Sequence, residues 1–325
     1  MKKSADNKFV DLLKGIKIPE DTKMHIKAQN KILIGLIIFS IVLSSCFTVS
    51  GLGFKKAEKG TDSVVVPILM YHEVKRHNVG KDVITPYEIE SDLKYLKENQ
   101  YTTITMQDLI DFANKKKELP AKPVVLSFDD GYLNNYVYVF PLLKKYDMKI
   151  VLSIIGKNTD DFTNIPDNSL DYSHVTWDQI NEMMKSGLVE IQNHTYNLHH
   201  ITRKRYGCHR NRGESLERYD QALTEDITKL QQEIIQMTGY TPNTFTYPYG
   251  RVSEESYPII KRLGFKASLT CDYGVNIIKR DPEVLYGLKR ICRSHGVSAK
   301  KSIQEGMKTL KYRKQGWFPI GRWFA

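Results

Sequence analysis

A rhythm in this chain narrows its fold more than any single motif. Short apolar, β-rich runs recur at 64–71 (VVVPILMY), 122–128 (KPVVLSF), 149–155 (KIVLSII), 188–192 (LVEIQ), 244–248 (TFTYP) and 266–270 (KASLT). Between them lie segments of helical pattern near 85–100, 106–116, 134–146, 177–186, 218–238 and 254–263. The first opens with Thr85, Pro86 and Glu88 in the positions of a capping box, and Gly239 closes the longest. Strands alternating with helices predict an α/β fold with a parallel sheet. About seven such units suit an irregular barrel better than an open sheet. Chemistry in a parallel barrel gathers at the C-terminal ends of the strands.

The net charge of +11 over 325 residues raises the question of an anionic partner. The excess sits at the two ends. Residues 1–31 carry 8 Lys/Arg against 4 Asp/Glu, residues 300–325 carry 7 against 1, and the body between them is nearly neutral. No nucleic-acid-binding motif occurs in that body, so no nucleic-acid partner is expected.

Residues 32–54 (ILIGLIIFSIVLSSCFTVSGLGF) form 23 positions without a charge, enough for a helix to cross a bilayer. Lys23, Lys27 and Lys31 precede them, which places the N-terminus in the cytoplasm and the body outside. An uncleaved signal anchor is expected, with a lipoprotein held through Cys46 of the LSSC stretch as the alternative. The chain thus divides into a basic cytoplasmic leader (1–31), a transmembrane anchor (32–54), a linker (55–63), a catalytic body (64–300) and a basic aromatic tail (301–325) that mixes Lys and Arg with Trp317, Phe318, Trp323 and Phe324. Such a tail suits a membrane interface or an irregular end equally. Cys208, Cys271 and Cys292 have no metal-ligand spacing and allow one disulfide or none. A monomer is expected.

The run VVLSFDDGY (124–132) ends in two adjacent carboxylates. Asp-Gly is ordinary turn chemistry. Yet Asp129 and Asp130 close one strand, His194 follows another, and Tyr249 follows a third, so three strand ends bring polar groups to one rim. His194 and His199 are five apart in NHTYNLHH, a spacing that would turn them about 140° from each other on a helix. At a strand end followed by a loop they can converge. One carboxylate and two imidazoles make a three-ligand zinc site with a position open for water. The second carboxylate would then be left to take a proton from that water.

SFDDG, HTYNLH and TYPYG, in that order, resemble the first three motifs of the polysaccharide deacetylases of carbohydrate esterase family 4. The resemblance runs over roughly residues 64–300. It implies a distorted (β/α)7 barrel that hydrolyses N-acetyl groups from N-acetylglucosamine units of a polysaccharide outside the cytoplasm, with Zn2+ or another divalent metal. Carried onto this sequence, Asp129 would be the general base, Asp130, His194 and His199 the metal ligands, and the backbone N–H of Tyr249 a donor to the oxyanion.

The departures are informative. The five-residue histidine interval and the LMYH stretch resemble the poly-N-acetylglucosamine deacetylases of biofilm systems. Thr246 stands where the family usually has an Arg that orients the base, which leaves the partner of Asp129 unassigned. The late catalytic histidine has no clear counterpart. His295 in CRSHG lies in a polar turn, whereas His72 directly continues an apolar strand. His72 is therefore expected to protonate the leaving amine. The basic loop 201–219 beside the metal histidines reads as a solvated insertion or the border of a glycan site. A catalytically inactive glycan-binding scaffold on the same barrel is the alternative function.

Overall fold

A computed structural model describes residues 62–202 and 205–314. Seven parallel strands close into a barrel: β1 (Ile68–Tyr71), β2 (Pro123–Phe128), β3 (Ile150–Ile154), β4 (Val189–Asn193), β5 (Thr244–Thr246), β6 (Ala267–Tyr273) and β7 (Leu288–Cys292). Each pairs with the next in chain order, and β1 pairs with both β7 and β2, which closes the ring. β1, β2 and β3 are buried along their whole length. Covered by side chains inside the barrel and by helices outside, they have no polar face to alternate with, hence the unbroken apolar runs.

The ring is uneven. β4 and β5 share one register pair, Asn193 with Phe245, and β5 is only 3 residues long. The β6–β7 register shifts between Leu269 and Tyr273. No α-helix connects β6 to β7, only a 3-10 turn at Pro282–Leu285. The strand Asn276–Lys279 precedes it and pairs antiparallel with Ser63–Val66.

Eight helices surround the strands among the described residues: α1 (Pro86–Glu98), α2 (Met106–Ala113), α3 (Phe140–Tyr146), α4 (Gly156–Asn164), α5 (Trp177–Lys185), α6 (Leu216–Thr238), α7 (Ser256–Arg262) and α8 (Ala299–Lys314). The Thr85–Glu88 capping box at α1 forms as the sequence predicts, and Gly239 ends α6 in the left-handed conformation. A single helix over 134–146 is not what forms. Asn135–Val139 make one wide π-type turn before α3. Such turns gather at functional sites, and this one lies against β1's end, where Asn135 donates from Nδ2 to the His72 carbonyl at 2.9 Å. α4 lies in the stretch between 155 and 177 for which the sequence pattern gives no helix.

α8 crosses position 300, where the sequence reading ends the body. Ala299 and Ile303 are buried in the same apolar cluster as Leu126 and Ile291, and burying a side chain of Ile303's size stabilises by about 1.5–3 kcal/mol. Asp92 of α1 ties the start of α8 down: it accepts from Arg293 Nε at 2.5 Å and from the Ala299 N–H at 2.8 Å. The proposed transmembrane segment 32–54, Cys46 and the aromatic residues at 317–324 lie outside the described residues. Among the described residues, no helix is long and apolar enough to cross a membrane. Cys208, Cys271 and Cys292 are all free thiols.

Candidate active site

The two aspartates sit where β2 leaves the barrel. Asp130 turns into the left-handed region at φ 72°, followed by Gly131 at φ 76°. The turn that Asp-Gly suggests does form, and its sharp reversal aims the neighbouring carboxylates in different directions. Asp129 points across the barrel. Its Oδ1 accepts from Arg290 Nη1 at 2.7 Å and from Ser127 Oγ at 3.2 Å. Burial works against the charge of Asp129, but Arg290 together with His194 and His72 outweighs it and holds the carboxyl below the ordinary range.

Asp130 faces the histidines. Its Oδ1 lies 3.4 Å from His194 Nε2 and 3.2 Å from His199 Nε2. The three ligand atoms fall within 4.8 Å of one another. His194 is fixed by β5: its Nδ1 donates to the Thr246 carbonyl at 2.7 Å. A carbonyl only accepts, so Nδ1 carries a proton, and the ring in its neutral form presents Nε2 as a lone pair. His199 is pushed down to about 4 by burial and by the neighbouring His194, so its imidazole is neutral near pH 7, as a ligand must be. Burial opposes protonation of His194 too, but the two carboxylates outweigh it and raise that ring.

Asp130 Oδ1 and His194 Nε2 are buried and have no hydrogen-bond partner. Leaving such atoms unpaired costs about 1–3 kcal/mol each. A divalent cation between them and His199 would remove that cost. One carboxylate oxygen and two imidazole nitrogens are a donor set that suits zinc. The residues present fit the metal.

His72, at the end of β1, brings its Nε2 to 3.9 Å from Asp129 Oδ2. The structure thus gathers Asp129, Asp130, His194, His199 and His72 at one rim. His295 is elsewhere, where its Nδ1 meets Glu88 Oε2 at 2.8 Å at the start of α1. Tyr249 follows β5 at φ 56°, and its ring packs 4.4 Å from that of His199. The next residue must be glycine: at Gly250 a Cβ would fall 2.3 Å from Cys271 Cβ. His174 supports the dyad from behind, bonding the Asp130 carbonyl through Nδ1 at 3.0 Å.

Residues 116–268 match the family profile of the polysaccharide deacetylases. The chain carries a polysaccharide deacetylase domain. Several relatives are named as N-deacetylases. Poly-beta-1,6-N-acetyl-D-glucosamine N-deacetylase of Escherichia coli (strain K12) is 25% identical over 235 residues, which span 67% of this chain but 34% of that protein. YxkH of Bacillus subtilis (strain 168), which carries the family's name, is 29% identical over 233 residues, 72% of this chain and 73% of that one. The solved de-N-acetylase from Aggregatibacter actinomycetemcomitans superposes with a TM-score of 0.64 at 29% identity, covering 74% of this chain and 99% of that chain.

The deacetylase domain holds one residue that sequence reasoning missed. Arg290 of β7 is the partner of Asp129 that Thr246 could not be. Besides Asp129 it reaches Ser127 Oγ at 3.0 Å through Nη1 and the Thr270 carbonyl at 2.7 Å through Nε. Thr246 serves otherwise, through its carbonyl to His194 and its hydroxyl, 2.7 Å from Ser153 Oγ. A signal for Arg290 existed: in LKRI it shares a strand face with Leu288, and both are buried while Lys289 between them is exposed.

Proposed function

We propose that this domain removes N-acetyl groups from N-acetylglucosamine units of a poly-N-acetylglucosamine-like or cell-wall polysaccharide, in a divalent-metal-dependent hydrolysis outside the cytoplasm. The observation that carries the reading is the split dyad. Asp130 is turned to His194 and His199, while Asp129 is 2.7 Å from Arg290 and so kept off the ligand set. A scaffold that only binds glycan has no use for an ionised carboxylate held beside a ligand triad.

Asp130, His194 and His199 would hold the metal. When bound, it would supply a Lewis acid for the acetyl carbonyl and lower the pKa of an attacking water. Asp129 has Oδ1 engaged by Arg290 and Ser127, which leaves Oδ2 to accept the proton of that water. The Tyr249 N–H would donate to the oxygen on which negative charge develops, an interaction that contributes roughly 3–4 kcal/mol in other hydrolases. His72, on the Oδ2 side of Asp129, would deliver a proton to the departing amine.

The relatives' names support the glycan class. The uncharged run 32–54 behind Lys23, Lys27 and Lys31 supports a membrane-held body outside the cytoplasm, by signal anchor or through Cys46. The test is acetate release by the metal-loaded protein from poly-β-1,6-N-acetylglucosamine, chitooligosaccharides and peptidoglycan. Release from the first is expected. Metal-loaded protein that binds these glycans and releases acetate from none would favour the scaffold instead.

A further inference from the structure

The sequence leaves the basic loop 201–219 between a solvated insertion and a glycan border. Its residues 207–219 are tied down. Cys208 is fully buried, and its carbonyl accepts from Tyr219 Oη of α6 at 2.8 Å. Arg210 donates through Nε to the Glu214 carbonyl at 3.0 Å and pairs with Glu255 at 2.6 Å. The Arg210 N–H reaches Ser253 Oγ at 2.9 Å. Gly207 at φ 56° lets the loop press on the strand-end motif, since a Cβ there would come within 3.2 Å of Pro248 Cβ and Tyr249 Cδ2.

What this anchoring presents is an aromatic row that starts at the ligand triad. The His199 ring packs on Tyr249 at 4.4 Å, Tyr249 meets Tyr206 edge to face at 5.2 Å, and the Arg251 guanidinium lies 5.1 Å from the Tyr206 ring centre. Tyr206 keeps 36% of its surface exposed. One residue beyond Arg251 and three beyond Tyr206 an open groove begins, lined by His209, Asn211, Arg212, Ser253 and Glu254. Sugars need both halves of this arrangement. Their axial C–H faces pack on aromatic rings, and their ring hydroxyls need polar partners beside them.

We propose that Tyr206 and Arg251 form a binding subsite for a pyranose unit beyond the immediate neighbour of the one being deacetylated, so that the loop reads chain length. This rests on the proposed deacetylase reading. The far end of a long glycan would lie on Tyr206 and continue into the groove, while a disaccharide would end short of it.

The experiment compares kcat/KM for β-1,6-linked N-acetylglucosamine dimers and pentamers in the wild-type holoenzyme, Tyr206→Ala and Tyr206→Phe. A stacking contact of this kind is worth about tenfold in affinity. The gain from dimer to pentamer is expected to shrink about tenfold in Tyr206→Ala, mainly through KM, and to survive in Tyr206→Phe, which keeps the ring. An undiminished gain in Tyr206→Ala overturns the subsite, as does a loss in Tyr206→Phe equal to that in Tyr206→Ala. Calorimetric titration of pentamer into metal-loaded Asp129→Asn, with and without Tyr206→Ala, separates the two proposals. Weaker pentamer binding in the double variant supports the subsite even if the wild type releases no acetate, and equal binding counts against it.

Discussion

Arg290 donates to Asp129 across the barrel interior at 2.7 Å from a strand 161 residues further along the chain. The pair is buried on both sides, so it fixes the carboxylate and its charge together. Removing Arg290 leaves Asp129 in the same dry site without its cation, and its pKa must rise. Arg290→Gln should move the acid limb of the kcat/KM profile to higher pH and lower kcat, with metal content unchanged. It should also cost about 3–5 kcal/mol of stability, because a buried charge is left unpaired. A pH profile and a urea titration check the two effects separately.

The dyad divides the labour between adjacent residues. Asp129→Asn should keep the metal and lose most activity. Asp130→Ala and His194→Ala should lose metal and activity together, since each removes a ligand atom. Metal content by mass spectrometry decides. Metal released by Asp129→Asn and retained by Asp130→Asn would reverse the assignment.

His72 and His295 both follow barrel strands, but only His72 reaches Asp129. A general acid contributes typically 10²- to 10⁴-fold. His72→Ala should lower kcat by roughly that factor and lose the alkaline limb of the pH–rate profile, while zinc content stays the same. His295→Ala should leave both limbs in place.

Glu88 supplies a pH dependence of stability. Burial works against its charge, but hydrogen bonds from the Thr85 and Gly296 N–H groups and from His295 outweigh it and hold the carboxyl at about 2, below its ordinary 4.5. A carboxyl depressed by folding contributes its stability above the unfolded value and loses it as pH falls through the folded one. The loss therefore runs between about pH 4.5 and 2. Glu88→Gln should flatten the stability profile in that window by about 1–2 kcal/mol, read from urea midpoints at several pH values.

Much of this site was legible because its residues come in local groups. Asp129 with Asp130, and His194 with His199, are each set by one strand end and its loop, so spacing alone shows how they could meet. Arg290 was harder. The alternation in LKRI marks it as inward, but not which residue on a strand 161 positions away it meets. α4 was missed because GKNTDDFTN has a polar composition and no side-chain cap at its start. The boundary at 300 failed for the opposite reason: α8 is rich in lysine, yet Ala299 and Ile303 carry a narrow apolar contact into the core. The wide turn at Asn135–Val139 is set by long-range hydrogen bonds to β1's end, from Asn135 to the His72 carbonyl and from the Val74 N–H to Asn134.

The central claim is that Asp130, His194 and His199 hold a divalent metal on which deacetylation depends. It is tested most directly by stripping the purified protein with a chelator and titrating zinc back while acetate release from poly-β-1,6-N-acetylglucosamine is followed. Activity should vanish on stripping and return in full at about one zinc per chain. Undiminished acetate release from the metal-free protein would contradict the account.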